Sequence, residues 1–171
     1  MRIQQSMTWR TSISFIVLAT LIVISIGYLS SVGLLPIHKT IRFEGGELQF
    51  IRVWMKLAIT IGIILPATAF VIGFKHPELR RIFGFYLLLL GIQIATEPIF
   101  SPGWMLSLVV PTGTLYTAFR VWQLRQGLRL IQSARKQRLV YKLLSGMLWL
   151  LSCFWFGNLA VLLTLAWASI L

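Results

Sequence analysis

Residues 12–35 read SISFIVLATLIVISIGYLSSVGLL, a stretch without a single charged side chain. It exceeds the ~20 residues that an α-helix needs to cross the ~30 Å hydrocarbon core of a bilayer. Arg2 and Arg10 precede it as they would in a signal peptide, but the apolar run is longer than the usual ~7–15 residues and contains no clear A-x-A cleavage site. We therefore expect residues 12–35 to form an uncleaved first transmembrane helix.

Four more apolar stretches follow along the 171 residues, of which 57% are hydrophobic and only 12% charged. Ordinary soluble domains carry ~25% charged residues, so a soluble globule is excluded. The sequence predicts one all-α integral membrane domain over residues 1–171 with about five transmembrane helices. The predicted spans are residues 12–35, 57–74, 82–99, 104–119 and 143–171, and Ser101-Pro102-Gly103 makes the third and fourth an antiparallel hairpin.

The basic residues predict the orientation of these spans, because Lys and Arg near span ends stay on the cytoplasmic side. With the N-terminus inside, twelve of the 16 Lys and Arg fall in cytoplasmic segments and four on the opposite side. We therefore predict a cytoplasmic N-terminus and a C-terminus on the other side of the membrane. In this count Arg120 is a charge at the inner end of the fourth span.

A small-residue stripe runs along the second span. Ala58, Gly62, Ala69 and Gly73 fall within ~60° of one another at ~100° per helical residue. Because small side chains let two helix backbones approach closely, the stripe predicts that this helix packs against another.

The fourth span is predicted to continue to residue 142 as a basic cytoplasmic helix. Anionic lipid headgroups attract basic residues beside a span, and an anionic partner surface would do the same. Aromatic residues that could stack on bases are few, which argues against nucleic acid. The residues expected to contact lipid or partner are Arg125, Arg129, Arg135, Lys136 and Arg138.

The loop between the first two spans predicts a short amphipathic β-hairpin. Two alternating runs flank Gly45-Gly46, and a two-residue glycine turn pairs Phe43 with Leu48 and Ile41 with Phe50 on one apolar face. An isolated hairpin is only marginally stable in water. That face is therefore expected to cover the protein's own spans or to bind a partner.

Glu97 is the only acidic residue within a predicted span, and carboxylates in hydrocarbon are candidates for function. Its position near the outer end of the third span favours an interfacial glutamate. The alternative is a substrate or ion path in which Gln93 and Thr96 form a polar notch with it. The predicted topology places Arg120 at the opposite end of the hairpin, which excludes it as the partner of Glu97.

The composition lacks the residue types on which most enzyme classes depend. Cys153 is the only cysteine, Asp is absent, and His38 and His76 are expected on opposite sides of the membrane. No catalytic residue, metal site or cofactor is predicted, although the 22 aromatic residues would suit a bound lipid, quinone or pigment. An enzyme is the less favoured class, and a membrane enzyme acting on lipid is the weakest hypothesis.

Two functional classes remain. The leading hypothesis is a small non-catalytic accessory or assembly subunit that docks on a larger membrane complex or on anionic lipid. The alternative is a small transporter or channel with the polar notch at its mouth. The charge pattern and the apolar hairpin face support the first class, and the residues around Glu97 support the second.

Overall fold

The computed structural model describes residues 9–41, 45–100, 105–133 and 139–171, with only the backbone for Trp9, residues 97–100 and Ser133. This described part is helical and contains no strand. The α-helices are α1 (Trp9–Ser31), α2 (Gly46–Ile59), α3 (Leu65–Gly73), α4 (Pro77–Phe100), α5 (Val109–Ser133) and α6 (Leu139–Val161). A π-helical turn, Thr60–Ile64, joins α2 to α3, a 3-10 turn, Leu106–Leu108, precedes α5, and a second π-helical turn, Leu162–Ala166, continues α6.

Four helical segments in the described residues are long and apolar enough to cross a membrane. They are Arg10–Ser31, Gly46–Gly73, Pro77–Thr96 and Leu139–Ala166. The predicted span 104–119 has no counterpart among them, because α5 begins only at Val109 and carries Arg120, Gln123 and Arg125. Four of the five predicted spans therefore have a counterpart among the apolar segments of the described residues.

Helix α5 is the central element of the bundle. It packs against α1, α4, α6 and the second π-helical turn. The phenyl rings of Phe15 in α1 and Phe119 in α5 stack with centroids 3.9 Å apart, while the polar residues Thr112, Thr117 and Gln123 are at most 3% exposed. These polar side chains of α5 are therefore covered by neighbouring helices, so a helix with many polar residues can lie at the centre of the bundle.

Helix α5 runs antiparallel to both α4 and α6. Gly127 of α5 lies against Ile82 near the start of α4 and against Leu148 in the first half of α6. At the other end, the N–H of His38 after α1 donates to the carbonyl oxygen of Ile170 at 2.7 Å. The start of α1 and the end of α6 thus lie at opposite ends of the bundle.

The predicted β-hairpin is wrong. Gly46–Ile59 is helix α2, so Leu48 and Phe50 are helical residues with 42% and 43% exposure, and Phe43 lies outside the described residues. Ile41 packs against the cluster of Val110 and Ala166. The helix prevails because tertiary contacts support it: Phe50 stacks on Trp54, and Trp54 stacks on Phe154 of α6 at 5.3 Å.

The predicted basic helix to residue 142 is also wrong in its extent. Helix α5 ends at Ser133, and Leu139–Lys142 belong to the first turn of α6. Arg125 and Arg129 are exposed, whereas Arg135, Lys136 and Arg138 lie outside the described residues. The two described arginines remain available to lipid, but they do not share one helix with Lys142.

The small-residue stripe does pack against other helices, as predicted. A Cβ atom added to Gly62 would lie 2.8 Å from Cζ2 of Trp155 in α6, and one added to Gly73 would lie 2.9 Å from Cβ of Leu79 in α4. Ala69 is fully buried between them. The stripe lets α3 and its π-helical turn approach α4 and α6 closely.

We predict that Gly62→Ala destabilises the protein and that Gly91→Ala does not. Overpacking typically costs ~1–3 kcal/mol, and the Trp155 ring cannot retreat without losing its contacts to Tyr86 and Arg120. A Cβ atom at Gly91, also in a candidate span, meets no atom within 4 Å. Thermal unfolding of the purified protein in detergent measures the difference, and equal midpoints for the two variants would contradict the packing argument.

Candidate functional site

The candidate site is centred on Arg120, a cation buried inside the bundle with 1% of its surface exposed. Its Nη2 atom donates a hydrogen bond to Oε1 of Gln93 in α4 at 2.6 Å. Hydrogen bonds with an ionised donor are roughly twice as strong as neutral ones, so this contact ties α5 firmly to α4.

Two aromatic rings also lie beside the guanidinium group. Its carbon atom lies 4.1 Å from the centroid of the Trp155 ring and 5.4 Å from that of Tyr86. Both distances are within the ~6 Å of a cation–π interaction, for which Trp is the best partner. Arg120, Gln93, Tyr86 and Trp155 are called the Arg120 cluster below.

A chain of hydrogen bonds connects this cluster to a fourth helical segment. Nε1–H of Trp155 donates to the hydroxyl oxygen of Tyr86 at 2.7 Å, and the Tyr86 hydroxyl donates to the carbonyl oxygen of Gly62 at 2.9 Å. Gly62 lies in the π-helical turn Thr60–Ile64, and π-helical turns occur frequently at functional sites. The cluster therefore joins α4, α5, α6 and that turn.

The depth of the cluster corrects the position predicted for Arg120. Tyr86 lies nine residues after Pro77 and ten before Thr96, about 14 Å from either end of that candidate span at ~1.5 Å per residue. Arg120 contacts this mid-span residue, so its predicted place at a span end is wrong. The reason given for excluding Arg120 as a partner of Glu97 no longer holds, and the side chain of Glu97 lies outside the described residues.

An interior cavity of about 190 Å³ adjoins the Arg120 cluster. Gln93 and Trp155 line it as well as contacting Arg120, and Thr117 and Asn158 add polar groups to walls that are otherwise apolar. The remaining lining residues are Met55, Ala58, Ile59, Ile63, Leu90, Ile94, Val109, Gly113 and Leu162. This composition, mostly apolar with a few converging polar groups, is typical of small-molecule sites.

The interior cavity opens sideways between α2 and α4. Met55 and Ile59 of α2 and Ile94 of α4 line it, and each is about half exposed. All three lie within candidate spans, so the opening is at a level that hydrocarbon would surround.

Asn158 is held in place on the opposite wall of this cavity. Its Oδ1 accepts a hydrogen bond from Nε1–H of Trp54 at 2.7 Å, and its Nδ2 donates to Oγ1 of Thr117 at 3.2 Å. An amide nitrogen carries two hydrogens and a hydroxyl carries one. The second amide hydrogen of Asn158 and the hydroxyl hydrogen of Thr117 are therefore the donors that this wall can offer to a ligand.

The predicted polar notch is not a single site. Gln93 lines the interior cavity, whereas Thr96 lines a separate space of about 10 Å³ between α1, α4 and α5. The Thr96 hydroxyl donates to the backbone carbonyl of Gln93 at 3.0 Å. Of the three notch residues, Gln93 alone is placed in the cavity, and its described side-chain partner is Arg120 rather than Thr96.

Sequence reasoning missed Arg120, Trp155, Thr117 and Asn158 as site residues. One signal was present: Thr117, Arg120 and Gln123 recur three residues apart, which places a polar face on a helix in an apolar chain. Polar residues in membrane helices face the bundle interior, so this face indicates a buried polar site. No group of three His, Cys, Asp or Glu side chains that could hold a metal occurs among the residues described.

Three further polar side chains, those of Ser12, Ser107 and Gln123, are buried without hydrogen-bond partners in the described structure. Ser12 of α1 and Gln123 of α5 are each 1% exposed, and neither the Ser12 hydroxyl nor either amide atom of Gln123 makes a bond. A buried unsatisfied group costs ~1–3 kcal/mol, so Gln123 weakens the fold unless water reaches it.

We predict opposite effects for two identical substitutions. Gln93→Met removes the acceptor of the Arg120 hydrogen bond and should lower stability by ~2–4 kcal/mol, because a buried charge loses its partner. Gln123→Met removes an unsatisfied amide and should leave stability unchanged or raise it. Thermal unfolding in detergent compares the two, and a larger loss for Gln123→Met would refute this assignment.

Comparisons with protein-family models, with curated proteins and with solved structures find no match for this chain. Neither a family nor a related fold therefore bears on its function. The contacts around Arg120 and the adjoining cavity are the observations from which a function can be proposed.

Proposed function

We propose that this protein is a non-catalytic membrane protein that binds and carries a lipophilic molecule with hydrogen-bond acceptors such as carbonyl oxygens. The observation that carries the proposal is the interior cavity, whose mostly apolar walls include the donors of Asn158 and Thr117. This function belongs to the transporter class predicted from the sequence. The proposed site is the interior cavity beside Arg120 rather than the predicted polar notch.

The size and opening of the cavity support this ligand class. At about 190 Å³ it is smaller than the ~300–1,000 Å³ pockets that enclose whole drug-sized ligands. The cavity would therefore enclose the polar head, while the apolar remainder extends between α2 and α4 into lipid. A ligand of this kind enters from the bilayer and needs no aqueous channel.

The polar residues of the cavity are also positioned before a ligand arrives. Trp54 and Thr117 hold the Asn158 amide from two sides, and Arg120 holds the Gln93 amide. Ordered donors lose little rotational freedom on binding, which favours affinity. Bound lipid, quinone or pigment, the ligand classes expected from the aromatic content, all offer acceptor oxygens.

The accessory-subunit hypothesis stays a prediction, as do a protein partner and contacts of anionic lipid with Arg125 and Arg129. Purification in mild detergent distinguishes the two functional classes. A stoichiometric protein partner supports the accessory subunit, whereas a chain that purifies alone with a bound lipophilic molecule supports the carrier.

We further propose that all five helical passes cross the bilayer, with the N-terminus cytoplasmic and the C-terminus on the opposite side. The antiparallel order of the helices supports this topology, as does the charge count, in which eleven basic residues remain on the inner side once Arg120 is removed. Reporter fusions after Gly103 and at the C-terminus should read non-cytoplasmic, and one after Ser133 cytoplasmic. A cytoplasmic C-terminus would reject the topology.

For the carrier, we predict saturable binding of decylubiquinone, a lipophilic probe with ring carbonyls, measured by quenching of tryptophan fluorescence in detergent. Trp155 lines the cavity and Trp54 contacts Asn158, so a ligand there quenches both. The nearly isosteric Thr117→Val should weaken binding by about tenfold, the loss of one hydrogen bond.

Two controls make this binding test specific. Thr68→Val removes an exposed hydroxyl that bonds the Ile64 carbonyl outside the cavity, and it should leave the affinity unchanged. Decylbenzene, which lacks carbonyl groups, should not compete. Unsaturable quenching, or equal affinities for the Thr117 and Thr68 variants, would reject the interior cavity as the binding site.

A further inference from the structure

A second concave surface lies on the outside of the bundle, along α3 and α4. It is an open groove of about 480 Å³, called the outer groove below. Its lining residues are Phe70, Pro77, Arg80, Arg81, Gly84, Phe85 and Leu88. None of them lines the interior cavity, so the outer groove is independent of the function proposed above.

Gly84 forms the floor of the outer groove. A Cβ atom there would lie 3.3 Å from Cε2 of Phe70, so the α4 backbone and the Phe70 ring meet closely beneath the groove. Phe85 and Leu88 continue the apolar lining along α4. Leu88 lies seven residues beyond Arg81, about 10 Å along the helix at ~1.5 Å per residue.

The two ends of the outer groove differ in charge. Arg80 and Arg81 are both exposed at the end near Pro77, and the guanidinium carbon of Arg80 lies 5.5 Å from the centre of the Phe74 ring. Lys75 adds a third exposed cation close by in the chain. The nearby acidic residue, Glu78, accepts a hydrogen bond from the Tyr141 hydroxyl of α6 at 3.3 Å.

We propose that the outer groove binds one anionic phospholipid, with its phosphate at Arg80 and Arg81 and an acyl chain over Gly84, Phe85 and Leu88. The arginines lie in the first two turns of the candidate span Pro77–Thr96, the level at which headgroups meet hydrocarbon. Arg is well suited to phosphate because its planar donors contact two oxygens at once.

Charge complementarity selects the lipid over a second copy of this chain. A symmetric partner would bring its own Arg80 and Arg81 against these two. A low-dielectric setting would strengthen the repulsion between the like charges. A phospholipid instead supplies a negative charge and an apolar chain in the order that the groove requires.

Native mass spectrometry of the full chain tests the proposal by comparing phosphatidylglycerol with phosphatidylcholine. We expect retained phosphatidylglycerol to fall by about tenfold in an Arg80→Gln/Arg81→Gln double variant, the expected result of losing two basic contacts with an anionic headgroup. Phosphatidylcholine binding should change little. All of the substituted residues are exposed, so the variants should fold.

The matched control is Arg52→Gln/Lys56→Gln, which removes the same charge from exposed residues of α2 that do not line the groove. It should retain phosphatidylglycerol at the wild-type level. Equal losses in both double variants would mean diffuse attraction and would overturn the proposal, as would no loss in either. Displacement of the lipid by soluble glycerol 3-phosphate would assign the arginines to free phosphate and overturn the lipid assignment.

Discussion

The guanidinium group of Arg120 sits at mid-span with 1% of its surface exposed, and the bundle is arranged around it. A charge at the centre of a membrane helix is costly unless the protein supplies partners. Two helices, α4 and α6, supply them here: Gln93 accepts its hydrogen bond, and the rings of Trp155 and Tyr86 face its charge. Each partner comes from a helix other than α5, so satisfying Arg120 requires the helices to be assembled in this order.

The helices around Arg120 must approach one another closely in order to place these partners against its guanidinium group. Gly62 allows the Trp155 ring to lie against the π-helical turn, and its carbonyl oxygen accepts the Tyr86 hydroxyl. Gly127 lets α5 approach Ile82 of α4 in the same way. Without a side chain at these positions, this part of α5 is enclosed by backbone and apolar groups, which keeps Arg120 and Gln123 away from lipid.

The bundle thus presents two unlike surfaces to lipophilic molecules. The interior cavity is small, opens between α2 and α4, and offers the hydrogen-bond donors of Thr117 and Asn158. The outer groove is larger and shallow, with its cationic end at Arg80 and Arg81. A polar headgroup is selected by neutral donors at the first surface and by charge at the second, so the two proposals concern different ligands.

The sequence alone predicted helices apolar and long enough to span a membrane, the antiparallel order of the third and fourth segments and the packing of the stripe at Gly62 and Gly73, because apolar length, turn length and residue size are local properties. Tertiary contacts decided the helix at residues 46–51 and the burial of Arg120. The six residues 46–51 fit a strand or a helix by pattern, and contacts with α6 select the helix. The sequence pattern of a basic residue beside an apolar stretch is the same whether that residue lies at a span end or inside a bundle. Arg120 lies inside because Gln93, Tyr86 and Trp155, 27 to 35 positions away in the chain, converge on it.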